Sequence, residues 1–452
     1  MPLFFLFLAL LILLFNIHMK YSNYNLFLHN RKQTILYNSF SDKLILMYPE
    51  TEKLLKDYSS NVDELFDVHP DLYSTLLDKG MIVKENYDEG AQVIESWKKT
   101  DMSHETCALV INPTMDCNLR CWYCYENHCK KSVMNDDTIS SVNKFIEQKV
   151  ADESMKLLQL DFFGGEPLMY FNEVIYPILC HAKSKCVEHH KKLLVGLTTN
   201  GVLINENIVN KLCEFTKDYP ISLQITLDGG RECHNAIRHT IDGSPTYDII
   251  VDNIKRCARV GFKVGVRFNY TQANMNTLSD VMMEFNSDIE GYLKNVSFSF
   301  HKVWQEPASD EMEKSISEIK NRFREHCLEV SHSPISRKYR CYADKENHLV
   351  VNYNGDLYKC TARDFTVENR EGILGENGEL LWNEKYHRRR SIAYGNSICK
   401  KCSIFPICAG HCSQSKLEYN GNGCVMHYSN EDKMNIVSDR IALLLEKVLP
   451  SS

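Results

Sequence analysis

The chain has 452 residues, 44% of them hydrophobic, and a formal net charge of −7 from 52 Lys plus Arg against 59 Asp plus Glu. Such length and apolar content suit two or three globular domains and exclude a disordered chain. The mild acidity offers no general attraction to nucleic acid or to an anionic bilayer, so no nucleic-acid partner is expected.

Residues 1–18 carry an apolar run over 3–15, shorter than the ~20 residues that span a bilayer and without the basic start of a signal peptide. We read it as a false start ahead of Met19 or a weak anchor, and expect membrane contact only there. Residues 20–100 read as strands followed by helices. Strand patterns at 24–28, 34–38 and 43–47 precede helical spacing over 51–58, 62–66 and 70–77; Lys79-Gly80 then stops the helix before a short strand at 81–84. The order predicts a small winged-helix-like module.

Residues 105–335 contain six apolar strand patterns, at 107–111, 157–163, 193–198, 221–227, 263–269 and 295–300. Helical patterns at 136–150, 172–186, 205–215 and 247–260 alternate with them. Alternation implies a parallel sheet, and six units instead of eight predict an α/β fold built on a partial (β/α)6 TIM barrel. Reactive groups are then expected at the carboxyl ends of the strands. Over 336–430 the cysteines crowd together and helical periodicity fades, which predicts a ligand-organised domain. An amphipathic helix is expected over 432–448, within a closing segment at 431–452. The run Arg388-Arg389-Arg390 reads as a solvated helix face.

Ten of the eighteen cysteines fall in metal-like patterns. The other eight are scattered and read as reduced, mostly buried small hydrophobes, which together with the metal-like spacing suits a reducing, cytoplasmic setting. Cys117, Cys121 and Cys124 place three thiols in one loop just past the first strand pattern, with no fourth thiol completing the spacing. A structural zinc closes its tetrahedron and an iron–sulfur cube takes four thiolates, so three close cysteines leave one corner free for a ligand. His128 and Cys129 are the alternative fourth ligands, and a zinc knuckle is the plainer reading of the trio.

The spacing of three and then two residues between these cysteines, with Tyr123 before the last, resembles the radical S-adenosylmethionine (SAM) signature. Gly164-Gly165-Glu166-Pro167, at the end of the second strand pattern, resembles the family's glycine-glycine-glutamate-proline element. The resemblance implies a [4Fe-4S] cluster whose fourth iron chelates SAM, reductive cleavage to a 5′-deoxyadenosyl radical, and hydrogen abstraction from an unreactive C–H bond. It gives Tyr123, Gly164, Gly165, Glu166, Asn200, Thr226 and Arg238 to the cofactor. The glycines would let the backbone approach the ligand, Glu166 would take its ammonium, and Thr226 and Arg238, with Arg267 as rival, its carboxylate.

Downstream, Cys341, Gly355, Cys360, Cys399, Cys402, Cys408, Cys412 and Cys424 resemble the SPASM domain, which carries two auxiliary [4Fe-4S] clusters. By that resemblance Cys399, Cys402, Cys408 and Cys424 form a closed set. Cys341, Cys360 and Cys412 form another set, one ligand short, to be completed by Asp344, by His348 or by a substrate thiolate. The leading module is similar to the precursor-recognition domains of peptide-modifying members, where a leader peptide is expected to add as a strand. The reading is thus a maturase of a ribosomally made peptide, served by an electron donor such as flavodoxin or ferredoxin. The alternatives are a formylglycine-forming anaerobic sulfatase maturase and a non-catalytic iron–sulfur electron-transfer protein. No general acid or base is singled out.

Overall fold

The computed structural model describes residues 18–30, 33–285, 291–307, 309–331, 340–419, 421 and 423–448. The apolar run at 3–15, and with it all of the 1–18 segment except His18, lies outside the described residues. Among the described residues no helix is long and apolar enough to cross a membrane. The chain divides into two compact units. One comprises Met1–Asp101, Ser333–Asp344 and Arg388–Ser452, the other Met102–His332 and Lys345–His387.

The first unit begins with β1 (Met19–Tyr21), β2 (Asn25–Asn30), β3 (Gln33–Asn38) and β4 (Lys43–Met47). Helices α1 (Pro49–Asp57) and α2 (Pro70–Asp78), strand β5 (Ile82–Lys84) and helix α3 (Glu89–Asp101) follow. Strands β2, β3 and β4 form an antiparallel meander, and β1 pairs antiparallel with β5. Proline opens both α1 and α2 at the turn where its missing N–H costs nothing, and the His69 ring caps α2 by accepting from Leu72 N at 3.2 Å. Leu36, Leu55, Leu65, Leu76 and Met81 close the core of this module.

The second unit alternates strand and helix. It runs β6 (Thr106–Ile111), α4 (Asp136–Ala151), β7 (Leu157–Phe162), α5 (Tyr176–Glu188), β8 (Lys192–Thr199), α6 (Glu206–Cys213) and β9 (Ser222–Leu227). Then come α7 (Arg231–Ile237), α8 (Tyr247–Arg259), β10 (Lys263–Tyr270), α9 (Leu278–Glu284), β11 (Val296–Lys302), α10 (Asp310–Glu325) and β12 (Glu329–Val330). Strands β6 to β12 are parallel neighbours in chain order, as the alternation predicts for the partial barrel. On β7 and β10 the fully buried residues Leu158, Leu160, Phe162, Val264, Val266 and Phe268 alternate with Gln159, Asp161, Arg267 and Asn269. The period of two gives the apolar set to the core and leaves a polar inner face. A cavity of about 610 Å³ opens on it, lined by Asp161, Thr198, Gln224, Ser297 and Ser299 among others.

The sheet does not stop at β6. Strand β13 (His348–Val351) pairs parallel with β6, and β14 (Asp356–Tyr358), β15 (Gly372–Leu374) and β16 (Leu380–Trp382) extend it antiparallel. The 336–430 stretch, read from its cysteines as one region, is therefore shared between the units, because the short apolar runs of β13 and β14 bury fully once β6 offers an edge. Helix α11 (Glu384–Ile392) follows, and the chain ends in α12 (Ser413–Glu418) and α13 (Asn430–Val448). In the first unit Leu26 and Tyr37 pack with Ile404, Ile407, Val437 and Ile441. Two sequence expectations fail here. Arg389 is fully buried and donates to Ser413 Oγ at 2.8 Å and to Gln414 Oε1, so the arginine run is not a solvated face. Of the eight scattered cysteines, all free thiols, only Cys107, Cys186 and Cys257 are buried. Cys129, Cys180, Cys213 and Cys327 are exposed, since helix periodicity and loop position place them on outer surfaces.

Candidate active site

The cysteine loop leaves the carboxyl end of β6 and closes on itself. Met115 N donates to Ser132 Oγ at 2.9 Å, Cys129 N to Met115 O at 3.1 Å and Met134 N to Pro113 O at 2.8 Å. Asp116 organises its entry, accepting from Cys117 N and from Lys131 N, both at 2.8 Å. Burial pushes Cys117 up to about 12 and Cys124 up to about 11, and each also feels the charge of Cys121 in the same loop. As thiolates in this buried loop they need a cationic centre, and soft sulfur donors suit iron. The donor set therefore fits an iron–sulfur cluster. Cys124 Sγ also lies 3.5 Å from His128 Nε2, and Cys124, Glu126 and His128 bring ligand atoms within 4.8 Å of one another. Cys129 is exposed.

Gly164 and Gly165 follow β7 with φ of +79° and +50°. Their missing side chains make room for the chain itself. A Cβ on Gly165 falls 2.1 Å from Asp116 O, and one on Gly164 falls 2.7 Å from Asn112 Cγ. The glycines thus let the cysteine loop seat on the end of β7, and Glu166 N donates to Asp116 O at 2.8 Å across that seam. Glu166 is fully buried, and burial raises its pKa. Its Oε1 accepts from Thr199 Oγ1 at 2.7 Å and Leu168 N at 3.1 Å, and its Oε2 from Asn200 N at 2.8 Å. Both oxygens are engaged inside the chain, where the sequence reading aims the carboxylate at a cofactor ammonium. Asn200 in turn donates to Asn118 Oδ1 at 2.7 Å, tying the end of β8 to the cysteine loop.

Tyr123 is the hub of the site. Its hydroxyl donates to Asp228 Oδ2 and accepts from Arg238 Nη1 at 2.7 Å and Asn269 Nδ2 at 3.1 Å. Arg267 donates through Nε to Asn269 Oδ1 at 2.9 Å, and its register partner on β9 is the buried Thr226. Arg238 thus bonds the phenol directly, and Arg267 is linked to it through Asn269. The sequence reading gives no role to Asn269 or His234. Asp228 N donates to His234 Nδ1 at 3.2 Å, which leaves Nε2 to donate to Thr246 Oγ1 at 3.1 Å. Burial lowers the His234 pKa to about 3, so the ring is neutral. The signal available in the sequence was the polar pair Asp228 and Arg238, ten residues apart across a predicted strand end.

Glu126 was also missed. Its Oε2 accepts from Gly165 N at 2.9 Å, and burial pushes its carboxyl up to about 7. The loop that follows Cys360 reaches the same segment: Tyr125 donates to Thr361 O, and Asn127 N to Asp364 Oδ1 at 3.0 Å. In the other unit the pKa of Cys408 is raised to about 11, by burial first and also by the neighbouring Cys399, Cys402 and Cys424, while Cys341 and Cys412 share a hydrogen bond. Asp344 N donates to Cys341 O at 3.0 Å, and its Oδ1 accepts from Ser413 N at 3.3 Å. His348 is buried on β13.

The model of the Radical SAM superfamily matches residues 111–283. The radical SAM cyclopropyl synthase TigE of Paramaledivibacter caminithermalis is 24% identical over 412 residues, 81% of this chain and 82% of its own length. A serine-type anaerobic sulfatase-maturating enzyme of Bacteroides thetaiotaomicron is 22% identical, over 68% of this chain and 82% of its own. Among solved structures, native anSMEcpe with bound AdoMet superposes with a TM-score of 0.58 at 18% identity, covering 75% of this chain and 98% of that one. Streptococcus suis SuiB bound to S-adenosylmethionine superposes at 0.52 and 18%, covering 90% and 100%. With the fold, the triple-cysteine loop and the glycine loop on one strand end, residues 111–283 of this chain form a Radical SAM superfamily domain, and a cysteine-rich region follows it.

Proposed function

We propose that the chain is a radical SAM maturase of a ribosomally made peptide. The reading is supported by the seating of the loop that carries Cys117, Cys121 and Cys124 on the glycine loop, where a Cβ on Gly165 falls 2.1 Å from Asp116 O, and by a spacing of three thiols with no fourth cysteine. An iron–sulfur cluster with SAM, held there by Cys117, Cys121 and Cys124, would supply one-electron reductive chemistry. The chain's residues hold and orient. Cys117, Cys121 and Cys124 ligate, and Asp116 and Glu166 lock the two loops together. Tyr123, Asp228, Asn269 and Arg238 present a rigid polar wall, and the buried strand-end residues exclude water.

The peptide substrate is supported by the relatives. One is a cyclopropyl synthase, and two neighbours are solved as anSMEcpe with bound Cp18Cys peptide and as SuiB bound to precursor peptide SuiA. We assign leader recognition to residues 20–100, where β4 pairs only with β3 among the described residues and so keeps a strand edge for addition. We assign Cys399, Cys402, Cys408 and Cys424 to one auxiliary cluster and Cys341, Cys360 and Cys412 to another, with Asp344 or His348 as completing ligand or a substrate thiolate in that place. A flavodoxin- or ferredoxin-type donor supplies the electron. The similarity to a sulfatase-maturating enzyme keeps oxidation of a Ser or Cys side chain as the second reading. Anaerobic reconstitution with SAM and reductant tests the class: release of 5′-deoxyadenosine is expected, and its absence from protein with full iron content refutes it. A mass change in a short cysteine- or glycine-rich peptide encoded beside the chain, and none in a sulfatase peptide, decides between the two substrates.

A further inference from the structure

The cavity on the inner face of the barrel strands is not used by the site described above. Its walls are small where a closed barrel is filled by branched side chains: Gly196 on β8, Gly265 on β10, and Ser297 and Ser299 on β11 leave a chamber of about 610 Å³. Gly265 stands opposite Gln224 on β9 and Ser297 on β11, and both neighbours line the same space. Two residues beyond Gln224 and Gly265, on the same face of the sheet, come Thr226 and Arg267, and Arg267 bonds Asn269, which bonds Tyr123. The chamber therefore lies on the amino-end side of the polar wall, directly beneath it.

One acid stands within this chamber. Asp161 on β7 is the register partner of Gly196, and its carboxylate fits because Gly196 has no side chain: a Cβ there would collide with Asp161 Oδ1. The carboxylate accepts at Oδ2 from the neutral Gln159 Nε2 at 2.6 Å, and among the described residues no cation lies within ion-pair distance of it. The lysines of the chamber stand at its rim, at the amino ends of β10 and β11, where Lys263 Nζ donates to Asn295 Oδ1 at 2.9 Å and to Lys294 O at 3.2 Å. Burial without a counter-charge disfavours the ionised carboxylate and raises its pKa, so the partner that stabilises it most brings positive charge on N–H donors. Oxygens of Thr198, Gln224, Ser297 and Ser299 offer further acceptors to such donors. The volume admits a long side chain, and a peptide held at the carboxyl ends of the strands can lower one into it.

We propose that the chamber receives a lysine or arginine side chain of the peptide substrate, with Asp161 as its counter-ion. The inference rests on the peptide-maturase reading above and adds the class of residue that the peptide presents. It is tested on anaerobically reconstituted full-length protein by equilibrium binding of N-acetyl-lysine methylamide, N-acetyl-arginine methylamide and the uncharged N-acetyl-norleucine methylamide. Wild type is expected to prefer one basic compound over the norleucine compound by about 10- to 100-fold, the range for a hydrogen bond to a charged group. Asp161→Asn, which keeps an acceptor for Gln159, is expected to bind the norleucine compound as wild type does and to lose most of that preference. Equal binding of all three by wild type, binding of none, or an undiminished preference in Asp161→Asn overturns the inference. A crystal structure of wild type with the preferred compound, independent of how the variant folds, supports it if a side-chain nitrogen lies within about 3.2 Å of an Asp161 oxygen, and refutes it if the compound sits elsewhere. The parent reading fails by a different result, when wild type with its iron in place releases no 5′-deoxyadenosine from SAM.

Discussion

Arg238 donates from Nη1 to the phenol oxygen of Tyr123 at 2.7 Å, joining the residue that ends α7 to the heart of the cysteine loop. The same phenol serves Asp228 and Asn269, so its one donor and two acceptor positions are all engaged. Anything that moves the loop is therefore felt on β9 and β10.

Replacing Tyr123 by Phe leaves Asn269 Nδ2 without an acceptor and takes the phenol from Arg238 and Asp228, which keep only their 3.5 Å contact with each other and backbone donors. A loss of about 1–3 kcal/mol in unfolding free energy is expected, with weaker SAM binding, as read by urea titration and equilibrium dialysis. Arg238→Met is expected to cost more, about 3–5 kcal/mol, because the buried Asp228 then lacks its ion-pair partner at 3.5 Å. A Phe variant as stable as wild type that binds SAM equally well contradicts the hub.

Gly165→Ala drives a Cβ to 2.1 Å from Asp116 O at a positive φ, whereas Gly261, also at positive φ, has nothing within 4 Å of its would-be Cβ. Gly261→Ala is expected to cost about 1 kcal/mol, from conformation alone, and to keep its iron. Gly165→Ala is expected to displace the cysteine loop and lose the cluster held by Cys117, Cys121 and Cys124. Iron analysis and electron paramagnetic resonance compare the two, and full iron in both removes the seam from the argument.

His234 supplies a pH dependence. Its folded pKa is about 3, below the ordinary ~6.5, so between these values the unfolded chain binds a proton that the folded chain does not. Stability contributed by the neutral ring is complete above pH 6.5 and falls as pH drops toward 3. Between pH 6.5 and 5 the wild-type apoprotein should lose about 2 kcal/mol more than His234→Asn, measured by urea unfolding at each pH. Equal losses mean that the ring titrates normally in the fold.

Cys408 shares its surroundings with Cys399, Cys402 and Cys424. Cys408→Ser is expected to lower the iron content by about four atoms per chain, one cluster, while the SAM-induced change in the signal of the first cluster persists. Unchanged iron, or loss of the first signal alone, breaks the assignment of these four thiols to one set.

Much of this molecule was readable in one dimension because its signals are local. Strand periodicity, helix stops and the spacing of Cys117, Cys121 and Cys124 depend on neighbours a few residues away, and the six parallel strands fall within one or two residues of their expected limits. That Tyr123 bonds Asp228, Arg238 and Asn269 was not readable, although Arg238 itself was a candidate, since the three come from positions 105 to 146 residues away. The same holds for β13, which becomes a strand because β6 has a free edge, and for Arg389, whose burial follows from Ser413 and Gln414. The sequence by itself determined the alternating β/α order and the thiol spacing, through short-range backbone preference and ligand chemistry. Tertiary structure alone decided which polar side chains satisfy one another and which, like Asp161 among the described residues, meet no cation, because polar pairing is settled by proximity in space and the chain order does not encode that distance.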